Sequence, residues 1–387
     1  MSQSDAAAAK KPDWTTRITL ILTVIFGIGG LAVEMYSNEM RNGVQSALSP
    51  IGRFGAPIAL LLAAIVVFRL WRRGRAETEP RIQTVTAPPA ERECVKIEHQ
   101  RITIDADTQQ RVPGADQVLG RDIHVLESKY DSKDLYVFLP GLGLDAKDFE
   151  PYMREARVHC IAVTLFGFNA EEHDNRDYWS ITHQGHLQVV AFVLRQIHKA
   201  NPKKRITLCG FSIGADQLLL MAETCPEVFA EIKVKRALLL DVNINRSTML
   251  LSGQLANIDP EGGVSQLHRI TSGVANREEF HFLSEYQSRI CMKNLHHLRR
   301  LATDITKDWD FDGTEKFVER LRGLHEAIED ITVVMSSAYR VLCHDISRNA
   351  ATESKIEYEQ VNHFKLLEPE ILGKYLSLEP TASGRGR

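Results

Sequence analysis

A serine between two glycines spaced four apart, Gly210-Phe211-Ser212-Ile213-Gly214, is the stretch of this chain with the clearest chemical potential. A serine hydroxyl is a poor nucleophile until a neighbouring imidazole takes its proton. When such a pentapeptide closes a buried strand and opens a helix, the turn is so tight that a side chain at either glycine would strike backbone, and the hydroxyl projects above the strand ends. The flanking residues predict that setting: RITLCG reads as a buried strand and SIGADQLLLMAETC as the helix leaving it. Ser212 is thus a candidate nucleophile, with an ordinary structural serine as the competing reading.

Upstream, LYVFLPGLGLDAKDF places Pro140-Gly141-Leu142-Gly143 at the end of another strand. A loop there supplies one backbone N–H to a developing oxyanion, and the residue after the nucleophile supplies the other, so the amides of Leu142 and Ile213 are the candidate donors. The base should follow the last strand, and KIEYEQVNHFKLLEP offers His363 at that place. His183, His186 and His344 are the other histidines considered.

These groups need a sheet to position them. From about residue 94, short apolar or β-branched runs alternate with helical stretches, the pattern of an α/β fold with a mainly parallel sheet. Strands are expected in CVKIEHQRITI, RDIHVLES, LYVFLPG, CIAVTLFG, RITLCG, KRALLLDVNI, ITVVMSS and KIEYEQV. Helices are expected in HQGHLQVVAFVLRQIHKA, after the serine, and in EPEILGKYLSL. Between about 246 and 330 the apolar spacing is helical throughout, so that region reads as an inserted helical cap. The charged stretch FNAEEHDNRDYWSITH, with Trp179, lies where a substrate loop would sit.

On LYVFLPGLGLDAKDF, GFSIGAD and VNHF, the chain from about residue 94 to 378 resembles the α/β-hydrolase superfamily, whose order is serine, acid, histidine. The resemblance implies a mostly parallel sheet with helices on both faces, and a Ser-His-acid triad. It usually places the acid in the turn after the penultimate strand, where VVMSSAYRVL has Tyr339. A phenol, with an ordinary pKa of about 10, supplies no charge near neutrality. Two replacements stand open: Asp241, ending the strand RALLLD where some superfamily members carry the acid, and Asp345 in RVLCHDI.

The first 73 residues are of another kind. Residues 18–33 and 54–68 carry no charge, and with their flanks they approach the roughly 20 residues that cross a bilayer. Two membrane helices, about 17–36 and 53–71, are the expectation, rather than a cleaved signal peptide, because no small-residue cleavage pattern follows promptly. Arg69, Arg72, Arg73, Arg75 and Arg81 beyond the second segment, with Lys10, Lys11 and Arg17 before the first, place both ends in the cytoplasm. In a bacterium that is the inner membrane, with the catalytic domain on the cytoplasmic side. Residues 74–93 read as a linker and 379–387 as a disordered tail.

The 387 residues are 44% hydrophobic and 25% charged with a net charge of -3, which disfavours a nucleic-acid partner. The six cysteines are scattered without zinc-site spacing and read as buried thiols. The function expected is a membrane-anchored serine hydrolase acting on an ester or thioester, with an acyl or lipid-like substrate and no metal or organic cofactor. An acyltransferase using the same acyl-enzyme and a non-catalytic membrane scaffold are the alternatives.

Overall fold

The computed structural model describes residues 95–104, 118–169, 181–272, 277–349 and 354–377. The two apolar segments, the linker, the tail, most of the Trp179 loop and Cys94 lie outside the described residues. Among the described residues no helix is long and apolar enough to cross a membrane.

Eight strands form one sheet: β1 (Ile97–Thr103), β2 (Asp122–Ser128), β3 (Asp134–Leu139), β4 (His159–Val163), β5 (Arg205–Phe211), β6 (Val234–Leu240), β7 (Asp330–Met335) and β8 (Lys355–Tyr358), in the order β1-β2-β4-β3-β5-β6-β7-β8. From β4 to β8 every neighbouring pair is parallel, whereas β2 runs antiparallel to both β1 and β4. The central strands show why. β5 and β6 are buried almost end to end, as strands covered on both faces must be. The outermost strand β1 alternates between half-buried and exposed residues and has only its neighbour to pair with.

Helices α1 (Glu150–Glu155), α2 (His183–Ala200), α3 (Ile213–Thr224) and α4 (Glu227–Glu231) lie in the connections between β3 and β6. The long connection from β6 to β7 contains α5 (Leu250–Ala256), α6 (His268–Thr271), α7 (Arg277–Ile290), α8 (Leu295–Asp308) and α9 (Glu315–Ala327), and α10 (Arg340–Asn349) and α11 (Pro369–Leu376) follow β7 and β8. α2, α3, α4 and α9 pack together, and α1 pairs separately with α11. The Tyr136 hydroxyl of β3 donates to the carbonyl of Leu376 at 2.9 Å, tying that second group to the sheet.

The expected cap of 246–330 is shorter in the structure. α9 turns its buried residues Phe317, Arg320, Leu321 and Leu324 toward the protein and packs on α3, so it is the helix that returns the chain to β7. An amphipathic period specifies a buried face and not its partner, which is why α9 and the cap helices look alike in sequence. The cap proper is α5 to α8. Its two ends meet: the Arg246 N–H donates to Phe311 O at 3.0 Å, Arg246 Nε reaches Asp310 at 2.6 Å and Asn245 Nδ2 donates to Gly313 O at 2.7 Å.

The cap sits on the loops that leave β3 and β4. A Cβ on Gly143 would lie 2.7 Å from both Ile290 Cγ2 and Leu298 Cδ2, and one on Gly167 would lie 2.4 Å from His297 Nδ1. Those loops open from the C-terminal edge of the parallel strands, where ligand crevices form in α/β sheets.

Candidate active site

Ser212 lies between β5 and α3 with φ 52° and ψ −119°, a left-handed conformation that costs a non-glycine residue about 1–3 kcal/mol. Surrounding bonds hold it there. Its N–H donates to Leu240 O at 2.7 Å, and its carbonyl accepts from Ala215 at 2.8 Å and Asp216 at 3.1 Å. The hydroxyl makes no capping bond to its own helix and the residue is half-buried, which leaves the oxygen for a reactant.

Both flanking glycines are there because backbone crosses backbone. A Cβ on Gly210 would stand 2.6 Å from Ala215 Cα, and one on Gly214 would stand 2.3 Å from Leu139 O. The atoms in conflict belong to the main chain and cannot rotate away. Gly214→Ala is therefore expected to lower stability by about 3 kcal/mol or more, read as a loss of the folded fraction or a large fall in Tm.

The approach of Gly214 to Leu139 and Pro140 also sets the first turn of α3 against the loop after β3. That loop turns at Gly141 to Leu144, closed by the Leu144 N–H on Gly141 O at 3.1 Å, with Gly143 at φ 71°. Among the described residues neither the Leu142 nor the Ile213 N–H donates to a protein acceptor. The two amides expected as oxyanion donors thus lie on adjoining segments and are uncommitted.

His363 opens the 3-10 turn His363–Leu367 after β8, with the Asn362 side chain capping it by accepting the Lys365 N–H at 3.0 Å. The imidazole lies between aromatic rings: Phe211, the residue before the serine, is 4.4 Å away between centroids, and Phe282 of α7 meets it edge-on at 5.8 Å. Its Nδ1 is 2.7 Å from Asp241 Oδ2. The Nδ1–H donates to that carboxylate, so Nε2 is the nitrogen left to accept a proton.

Asp241 follows β6 with φ 42° and is fully buried. Its N–H continues the parallel pairing with β7 by donating to Val334 O at 2.9 Å, and its Oδ1 accepts the Ser336 N–H at 2.5 Å. A buried carboxyl group needs hydrogen-bond partners, and Asp241 has one on each oxygen. Asp345 stands elsewhere, exposed on α10 beside exposed His344. Of the two aspartates left open by the sequence, the structure brings Asp241 to His363 and keeps Asp345 on the surface. Tyr339, half-buried in the turn Ser337–Tyr339, keeps its proton: burial, reinforced by Asp241 and Asp216, holds the phenol well above its ordinary pKa. His183 and His186 are buried at the start of α2, with His183 Nδ1 bonded to Asp308 at 2.7 Å.

Asp216 went unnoticed in the sequence. One turn into α3 and fully buried, it accepts the Asn243 N–H at 2.8 Å and Asn243 Nδ2 at 2.5 Å, which ties the nucleophile helix to the segment carrying Asp241. Its one sequence signal is an acidic residue in a mostly apolar helix, SIGADQLLLMAETC. Burial pushes its carboxyl up from 3.8 to about 7, against the hydrogen bonds from Asn243 and the charge of Arg320. The folded protein then holds this proton more tightly than the unfolded chain, so the stabilisation is complete at low pH and is lost as pH rises toward 7. The Tm is expected to fall from pH 5 to 7.5 with a slope contribution of at most about 1.4 kcal/mol per pH unit. In Asp216→Asn that contribution should be absent, which paired thermal melts across the range would show.

α7 covers the site. Phe282 and Tyr286 stack on Phe364 at 5.1 and 5.7 Å, and the Arg289 guanidinium lies 5.0 Å over the same ring. The Tyr286 hydroxyl donates to Leu142 O at 2.8 Å. Arg289 pairs with Asp148, while nearly buried Lys293 pairs with Asp145 and donates to Phe168 O at 2.7 Å. These cap residues had no reading in the sequence beyond helical periodicity.

No family model matches the sequence, and no curated protein matches it. Among solved structures the chain is similar to an AqdC variant described for recognition and ring-cleavage of the Pseudomonas quinolone signal, with a TM-score of 0.49, 15% identity and coverage of 72% of this chain and 97% of that one. It is also similar to a putative aryl esterase from Burkholderia cenocepacia (0.45, 13%, 72% and 97%) and to a membrane phospholipase A described as a bacterial virulence factor (0.46, 16%, 84% and 97%). Likenesses this distant carry no inference about chemistry. The chain is an α/β protein whose mainly parallel sheet of eight strands brings a strained serine, a histidine and a buried aspartate to its C-terminal edge.

Proposed function

We propose that this protein is a serine hydrolase that cleaves a carboxylic ester or thioester through an acyl-enzyme intermediate. The observation that carries the reading is the 2.7 Å bond from His363 Nδ1 to Asp241, on an imidazole packed against the ring that precedes a left-handed Ser212.

In the reaction so read, Ser212 Oγ attacks the substrate carbonyl and its proton passes to His363 Nε2. Asp241 keeps its negative charge, holds the imidazole in the tautomer that can accept, and stabilises the imidazolium. The oxygen of the tetrahedral intermediate takes hydrogen bonds from the Leu142 and Ile213 N–H groups, a site worth about 10²–10³ in rate per donor. His363 then returns the proton to the leaving alcohol or thiol as the carbonyl–heteroatom bond breaks. Water, deprotonated by the same Nε2, attacks the acyl-serine; the intermediate collapses as the bond to Ser212 Oγ breaks and that oxygen takes the proton back from His363, freeing the acid.

The aromatic wall formed by Phe282 and Phe364 beside His363 favours an apolar acyl group. The uncharged segments 18–33 and 54–68 would anchor the enzyme in a membrane, where lipid-like esters are concentrated. A fluorophosphonate probe tests the chemistry: the expected result is one covalent adduct located at Ser212 by peptide mass mapping. Folded protein that takes up no probe would overturn the reading.

A further inference from the structure

One hydroxyl of the cap reaches the main chain of the oxyanion loop. Tyr286, 3% exposed on α7, donates its O–H to the carbonyl of Leu142 at 2.8 Å. Burial pushes this phenol far above its ordinary range, so the proton is present at every working pH. Leu142 is the first central residue of the turn Gly141–Leu144, and Gly143, at φ 71°, is the second. In a β-turn the central peptide is the unit whose reversal separates the two common turn types, since it changes one ψ and one φ while the closing bond survives. Here the central peptide begins with the carbonyl that Tyr286 holds.

We propose that Tyr286 is a positioning residue that fixes the Leu142 backbone so that its N–H is aimed at the oxyanion. This inference rests on the serine hydrolase reading of the site. Donors work only at about 2.7–3.1 Å from the place the oxyanion will occupy, and a shift of about 1 Å costs about 10² in rate. The Leu142 N–H belongs to the preceding peptide, and it shares with the clamped carbonyl the Leu142 Cα, which the bond from Tyr286 pins. Arg289 and Lys293 grip Asp148 and Asp145 on the same loop.

Tyr286→Phe removes the hydroxyl alone and keeps the ring on Phe364. The expected result is a fall in kcat of about 10- to 100-fold, with KM within twofold and Tm within a few degrees. The rate of reaction with a fluorophosphonate, whose phosphonyl oxygen takes the oxyanion position, should fall in parallel. Arg246→Gln loosens the cap at its ends, where Arg246 pairs with Asp310 away from the loop after β3, leaves the bond to Leu142 in place, and should leave kcat within a few fold whatever it does to Tm. The inference is overturned if Y286F keeps kcat within twofold, or if R246Q reproduces its kcat loss, which would assign the effect to cap seating in general. Should Y286F melt near the assay temperature, rates measured in the cold and normalised to the folded fraction carry the same criteria. A wild-type protein inert to the probe overturns the parent reading, whereas a wild type and Y286F that react equally fast overturn only the role of Tyr286.

Discussion

Replacing Ser212 by alanine is expected to lower kcat on a short-chain activated ester by about 10⁶-fold and to abolish the fluorophosphonate adduct, with Tm unchanged within a few degrees. The size follows from the unit the residue belongs to: once the nucleophile is gone, the imidazole and the oxyanion donors have no covalent intermediate to serve. The unchanged stability follows from the elbow. The strain at φ 52° is held by main-chain bonds to Leu240, Ala215 and Asp216, none of which involves the hydroxyl, and alanine retains the same Cβ. Steady-state kinetics with intact-mass measurement on both proteins reads both halves. Activity within tenfold of wild type would remove Ser212 from the chemistry.

Asp241→Asn is expected to cost about 10⁴ in kcat, against less than twofold for Asp345→Asn. The amide can still accept the Ser336 N–H through its oxygen, as Asp241 Oδ1 does at 2.5 Å. Its NH₂ then faces His363 Nδ1 and obliges that nitrogen to become the acceptor, which moves the ring proton to Nε2. The imidazole can no longer take a proton from Ser212. Asp345, exposed on α10, touches none of these groups. Equal losses in the two variants, or a loss below tenfold in D241N with the fold intact, would contradict the assignment.

Much of this site is legible in the sequence, because its parts sit at the ends of strands that announce themselves. Each of the eight apolar runs expected as strands contains one. Ser212, Leu142 and His363 are each found by their place after a strand, a local property. The acid is different. Asp241 and Asp345 follow successive strands, and nothing local states which one the last loop will meet; the choice is made by the 2.7 Å contact across the sheet edge and by a positive φ at Asp241. Hydropathy periods also do not carry strand direction, so the antiparallel placement of β2 was outside their reach. Tyr286 and Leu142 illustrate the limit most plainly. A buried tyrosine finds its acceptor 144 positions away, and only a folded cap brings the two together.

The meeting of Asn245 and Arg246 with residues 310–313 makes the cap a closed excursion from the sheet. The chain leaves and returns at nearly one point, while α9 and β7 keep their seats whatever lies between. An insertion with pinned ends is an exchangeable module: it can lengthen, shrink or change its lining over evolutionary time without shifting the register of β6 on β7. The proposed reaction centre and the cap over it could in this sense vary separately, with the Tyr286, Arg289 and Lys293 contacts to the loop after β3 as the stitches a new cap would have to keep.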